Sequence, residues 1–131
     1  MKKILFAAAM MLCGTTFAQQ ALWGGGELAS PEIHPDNTVT FRVRAPKAVS
    51  VQVSGDFLPE TLIDTPQGKW AINVPADLKE GKDGVWEYTT AAPLDANYYT
   101  YNFIIDGKKE LDLMNVFVNR DVKTLTNYFI I

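Results

Sequence analysis

Tyr98-Tyr99-Thr100-Tyr101-Asn102-Phe103-Ile104-Ile105-Asp106-Gly107 decides the fold. Tyr99, Tyr101, Phe103 and Ile105 fall on one face at period two, and Tyr98, Thr100, Asn102 and Ile104 on the other. Aromatic and β-branched residues suit a pleated, half-buried surface, so the stretch reads as a long strand. Asp106-Gly107 supplies the positive φ angles of a type I′ turn, and Lys108 to Leu111 begins the return strand. A face carrying three aromatic rings and an isoleucine needs a second layer over it, so the rest of the chain must supply another sheet.

Working outward, the same period recurs. Val39, Phe41 and Val43 alternate with Thr40, Arg42 and Arg44, and Val49, Val51 and Val53 with Ser50, Gln52 and Ser54. Trp86, Tyr88 and Thr90 share a face of a further strand. Pro31 to His34 reads as a short edge strand closed by the turn cluster Pro35-Asp36-Asn37. Shorter strands are expected at Thr61–Ile63 and Trp70–Val74, no more than one helical turn between Pro75 and Lys82, and a final edge strand over Asn127–Ile131. Asp112 to Asn119 reads as an extended polar connection. Short strands separated by turn chemistry, with no helical period, specify an all-β antiparallel sandwich. Its expected core is Val39, Phe41, Val43, Val51, Val53, Trp86, Tyr101, Phe103 and Ile105.

The first residues follow a different pattern. Lys2 and Lys3 precede the apolar run Ile4–Leu12, and Thr16-Phe17-Ala18 places small residues at −3 and −1 before Gln19. This is the pattern of a signal peptide cleaved after Ala18, which implies a secreted or periplasmic protein. The apolar run is too short for a permanent membrane span. Leu12 before Cys13 disfavours a lipoprotein anchor. Residues 19–29, with Gly24-Gly25-Gly26 and a lone Trp23, read as a flexible leader, and residues 30–131 as one domain. Removing the first 18 of 131 residues leaves 113 and no cysteine, so export brings no disulfide. The twelve Lys and Arg fall to ten without Lys2 and Lys3, against fifteen Asp and Glu, for a net charge of −5. That balance argues against nucleic acid and anionic membranes and is compatible with a neutral polysaccharide.

Catalysis has no visible seat. There is no Gly-x-Ser-x-Gly elbow, and the serines of the domain are Ser30, Ser50 and Ser54. The only histidine, His34, sits beside a proline in a turn. No residues have metal-ligand spacing, and Asp112, Asn115 and Asp121 fit no calcium loop, so no cofactor is expected.

Phe41-Arg42-Val43-Arg44-Ala45-Pro46-Lys47-Ala48, Val51-Gln52-Val53-Ser54-Gly55-Asp56-Phe57, Gly84-Val85-Trp86 and the Tyr99–Gly107 stretch occur in one order. Together they resemble carbohydrate-binding module family 48, the immunoglobulin-like N-terminal modules of starch- and glycogen-active enzymes. Ser30–Asp36, Asp112, Asn115–Val118, Arg120–Val122 and Asn127–Ile131 further resemble the N-terminal module of secreted Bacteroidetes family 1 carbohydrate esterases of the feruloyl and acetylxylan type. The resemblance implies an immunoglobulin-like sandwich and a non-catalytic accessory that binds or presents xylan-type polysaccharide beside an esterase domain. A domain that packs on an α/β-hydrolase without binding glycan, and a glycogen- or starch-binding module, are the alternatives. The family's glycogen-binding members carry two tryptophans and a lysine where this chain has Leu58-Pro59, Lys108-Lys109 and Asn102. The expected carbohydrate-binding residues are therefore Trp70, Tyr98 and Asn102, since sugar rings stack on aromatic faces and amides take hydroxyls. Exposed apolar side chains near Phe117, Val118 and Phe129 would instead favour docking onto a partner domain.

Overall fold

The computed structural model describes residues 28–131. The expected signal peptide, Cys13 and Trp23 lie outside the described residues. Twelve strands run in chain order: β1 (Glu32–Ile33), β2 (Val39–Arg44), β3 (Val51–Gly55), β4 (Glu60–Thr65), β5 (Gly68–Asn73), β6 (Ala76–Asp77), β7 (Lys79–Glu80), β8 (Val85–Thr89), β9 (Tyr98–Ile105), β10 (Lys108–Glu110), β11 (Val118–Arg120) and β12 (Leu125–Ile130). They form a four-stranded sheet, β1-β2-β8-β7, a larger one, β11-β12-β9-β3-β6, with β10 also on β9, and a separate two-stranded ribbon, β4-β5. All pairings are antiparallel. The chain is an all-β, immunoglobulin-like sandwich.

β9 is the centre of the larger sheet, as its composition requires. One edge pairs with β3 from Tyr101 to Ile105. The other pairs with β12 over Tyr98–Tyr101 and with β10 over Phe103–Ile105. Asp106 and Gly107 both take positive φ, 48° and 82°, in the turn to β10. Asp106 Oδ1 also accepts the amides of Val49 and Ser50, which ties this turn to the entry of β3.

Side chains of both sheets meet in an aromatic core. Val39, Phe41, Val51, Val53, Trp86, Tyr101 and Phe103 are buried as expected; Val43 and Ile105 are half-buried at its margin. Leu78 and Phe129 complete it. Phe41 packs edge-on against Tyr101 at 4.9 Å and Phe129 at 5.6 Å, and stacks on Phe57 at 4.9 Å. The Trp86 indole N–H donates to the Ala45 carbonyl, so its buried polar atom is satisfied.

Four expectations need correction. Pro75–Lys82 forms two-residue strands rather than a helical turn: β6 pairs with β3, β7 with β8, and buried Leu78 marks where the chain changes sheets. The only helical turn described there is the short 3-10 piece Lys82–Gly84. The last strand is not an edge, because β11 pairs on its far side. The expected polar connection after Leu111 is partly interior: Asp112 and Asn115 are buried, and Val118–Arg120 is strand. The leader's last residues lie against the sandwich, with the Ala29 carbonyl accepting from Arg42.

Candidate functional site

Strand alternation decides what the outer face of the larger sheet presents. Since Tyr99, Tyr101 and Phe103 point inward, Tyr98, Thr100, Asn102 and Ile104 point outward. On β12, Asn127 and Phe129 are buried, so Thr126, Tyr128 and Ile130 take the outer side. The Tyr128 amide donates to the Phe117 carbonyl, extending the β11–β12 ladder by one residue and placing Phe117 beside Tyr128.

The result is a row of three rings crossing β11, β12 and β9. Phe117 and Tyr128 centroids lie 5.4 Å apart, and Tyr128 and Tyr98 5.0 Å, with interplanar angles of 40° and 31°. Both pairs are tilted rather than parallel. Phe117 is 56% exposed and Tyr98 43%. No hydrogen bond among the described residues engages the Tyr98 or Tyr128 hydroxyl. Thr100 stands opposite Tyr128 on β9, and the Asp56 carboxylate holds the Thr100 amide and hydroxyl at 2.8 and 3.0 Å. The row is thus an apolar strip with a hydroxyl-bearing residue, Thr100, at its side.

Beneath the row lies a buried polar network. Asp112 Oδ2 accepts from the Ser30 hydroxyl at 2.5 Å and the Tyr101 hydroxyl at 2.8 Å, and its Oδ1 accepts from the Met114 amide. Burial pushes the Asp112 carboxyl above the usual carboxylate value, and the hydrogen bonds from Ser30 and Tyr101 oppose that shift. Burial, then the charge of Asp112, pushes the Tyr101 phenol upward. Asn127, wholly buried, accepts the Asp112 amide and donates to the Asp112, Asn115 and Phe117 carbonyls. No buried side-chain nitrogen or oxygen among the described residues is left without a partner.

The three residues expected from sequence fare differently. Tyr98 joins the row. Asn102 shares its face but is 9% exposed, with its amide donating to the Leu125 carbonyl. It sits where β12 and β10 part, opposite Ser54 on β3 but outside both ladders on its other edge. The structure thus buries Asn102 and commits its N–H, so it is not the open amide expected. Trp70 is 58% exposed on β5, in a β4–β5 hairpin that pairs with neither sheet, and shares a face there with Ile63 and Ile72. It makes no ring contact with the row. Tyr128 and Phe117 are the site residues that the sequence reading passed over, and Tyr128 was findable from parity with Phe129.

Against the row runs a groove of about 420 Å³ whose lining includes Pro31, Ile33, Met114, Val116 and Ile130 together with Phe117 and Tyr128 of the row itself. Phe117 and Val118 are exposed, whereas Phe129 is buried. The described residues hold no group of three His, Cys, Asp or Glu placed for a metal, and no helix long and apolar enough to cross a membrane.

No protein-family model and no curated protein matches the chain. Among solved structures it is similar to the catalytic module of a multi-modular glycogen-degrading pneumococcal virulence factor, with 15% identity and a TM-score of 0.52 over 86% of this chain and 18% of that one. It is also similar to pullulanase from Paenibacillus barengoltzii, at 23% identity and TM-score 0.47 over 86% and 16% of the two chains. Pullulanase from Bacillus acidopullulyticus gives 21% and 0.43 over 69% and 10%. The pneumococcal likeness shows a shared fold, and this chain spans less than a fifth of each of those proteins.

Proposed function

We propose that this chain is a non-catalytic accessory module of a polysaccharide-degrading enzyme and that it holds a neutral glycan chain against the Phe117–Tyr128–Tyr98 row. The observation that carries this reading is the row itself. Three rings line up on a sheet face whose core does not need them, Phe117 and Tyr98 exposed and Tyr128 half-buried between them, with two tyrosine hydroxyls that no hydrogen bond among the described residues engages. Starch- and glycogen-type α-glucans are the first ligands to test, because the pneumococcal protein sharing the fold is glycogen-degrading. Binding would not use the family's usual positions, where this chain has a buried Leu58, a buried Asn102 and the paired lysines Lys108-Lys109. Xylan-type chains, and service to a secreted carbohydrate esterase, follow from the sequence resemblance alone and form the second ligand set.

One feature favours a second role on the same side of the molecule. The groove that Phe117 and Tyr128 share with Pro31, Ile33, Met114, Val116 and Ile130 is mostly apolar, which suits a protein surface better than a sugar, so packing against a catalytic domain is the alternative.

Calorimetric titration of the protein with glycogen, malto-oligosaccharides and xylo-oligosaccharides tests the reading. Saturable heat with one of them, lost in Tyr98→Ala and Phe117→Ala but kept in Trp70→Ala, supports it. Absence of heat with all of them would leave the docking role.

A further inference from the structure

The row depends on a buried residue. Phe117 precedes the regular part of β11, so strand pairing gives its backbone only the bond from the Tyr128 amide to its carbonyl. Asn115, buried two residues earlier, supplies the rest. Its Oδ1 accepts the Phe117 amide at 2.9 Å, and its Nδ2 donates to the Tyr128 carbonyl at 2.9 Å and the Tyr101 hydroxyl at 3.1 Å. One side-chain amide thus holds the backbones of both neighbouring ring residues and ties them to the core tyrosine. Asn127 closes the same loop from below through the Asn115 and Phe117 carbonyls.

We infer that Asn115 is a positioning residue for glycan binding: its amide sets Phe117 against Tyr128 so that the row is formed before the ligand arrives. This rests on the functional reading above. The warrant is preorganisation, since a ring held in place before binding loses no freedom on binding. Asparagine is required because the site needs an acceptor toward Phe117 N–H and donors toward two oxygens from one planar group. Aspartate has no donor, and glutamine is one methylene too long for the same three partners.

The test is a double-mutant cycle with Asn115→Ala and Phe117→Ala, read by affinity for the best-binding glycan, by thermal midpoint, and by NMR contacts between ring protons. Asn115→Ala is expected to weaken binding about tenfold and to abolish the Phe117–Tyr128 ring contact while leaving the Phe41–Tyr101 contact intact. In the Phe117→Ala background it should weaken binding no further, yet lower the thermal midpoint as much as in the wild type. An equal loss of affinity in both backgrounds, or unchanged affinity with a lowered midpoint, overturns the inference. If the wild type binds none of the glycans, the functional reading has failed by itself. The NMR contact then still decides the positioning claim, and its survival in Asn115→Ala refutes it. Should Asn115→Ala not fold, Asn115→Asp, which keeps the acceptor for Phe117, serves in the same cycle and is expected to lose the same ring contact.

Discussion

Replacing Asp112 by asparagine changes two atoms' worth of chemistry at the centre of the buried network. Both carboxylate oxygens act only as acceptors: Oδ2 from Ser30 and Tyr101, Oδ1 from the Met114 amide. Either orientation of an asparagine amide therefore turns an NH₂ toward a donor. Ser30 cannot easily reverse its role, since its oxygen already accepts the Arg42 amide, and the Tyr101 oxygen already accepts from Asn115. Hydrogen bonds to a charged group are worth about 1.5–3 kcal/mol each, and an orphaned buried donor costs about 1–3. Relief from burying a carboxylate, the larger influence on its titration, offsets much of this, so the net loss at neutral pH should be about 1–2 kcal/mol. For a domain of this size that lowers Tm by about 10 °C. The pH dependence has a defined sign. The Asp112 carboxyl titrates above its unfolded value of 3.8, so the native state binds this proton more tightly than the unfolded chain. Its contribution is therefore fully present below the unfolded pKa and is lost as pH rises through the folded one. Asparagine lacks that titration. The stability gap between wild type and Asp112→Asn should be widest in acid and narrow from about pH 4 upward. Urea melts of both proteins at several pH values measure this difference, in which the other carboxylates cancel. A variant as stable as wild type at pH 7, or a gap that widens with rising pH, would refute the reasoning.

Other outcomes follow from the packing. Phe41→Ala removes a fully buried ring that touches Phe57, Tyr101 and Phe129 and should cost about 3–5 kcal/mol by chemical denaturation, a large share of the stability of a domain this size. Gly84→Ala should cost at least about 2 kcal/mol in the same assay, because φ is +67° there and a Cβ would lie 2.4 Å from Pro46 Cβ. Glu87→Gln breaks the half-exposed pair with Arg42, which keeps Glu32 as its partner, and should change stability by less than about 1 kcal/mol, with the difference shrinking in high salt.

Much of this fold is legible in the chain because its strands are one-sided. The alternation of Tyr98–Ile105 fixed which rings point inward, and Asp106-Gly107 fixed the turn, since both are local properties of the backbone. The place of the last strand was not local. Nothing within Asn127–Ile131 says that Val118–Arg120 will pair on its far side. The buried trio Asp112, Asn115 and Asn127 was illegible for a related reason: polar residues in a connection are ordinarily solvated, and their burial depends on partners such as Ser30, 82 residues away. Tyr98 was identified by parity alone. Asn102 has the same parity yet is buried, because β12 and β10 part beside it and the Leu125 carbonyl occupies its amide. Phe117 becomes a site residue only through its asparagine clamp.

The β4–β5 hairpin divides the molecule by cooperativity. Its strands pair only with each other, and bonds at its base join it to Leu58 and Pro59 rather than to either sheet. A two-stranded ribbon is marginal by itself in water, so the arm should open and close without the sandwich noticing. Its amides, Thr61 to Asn73, should exchange with solvent deuterium far faster than those of β3 and β9. A protease added to the native protein should nick the Gln67-Gly68 tip while both sheets stay whole. The arm can therefore be lengthened, trimmed or re-sequenced while the sandwich keeps its stability, which makes it the segment most free to change as the module adapts to a different neighbour.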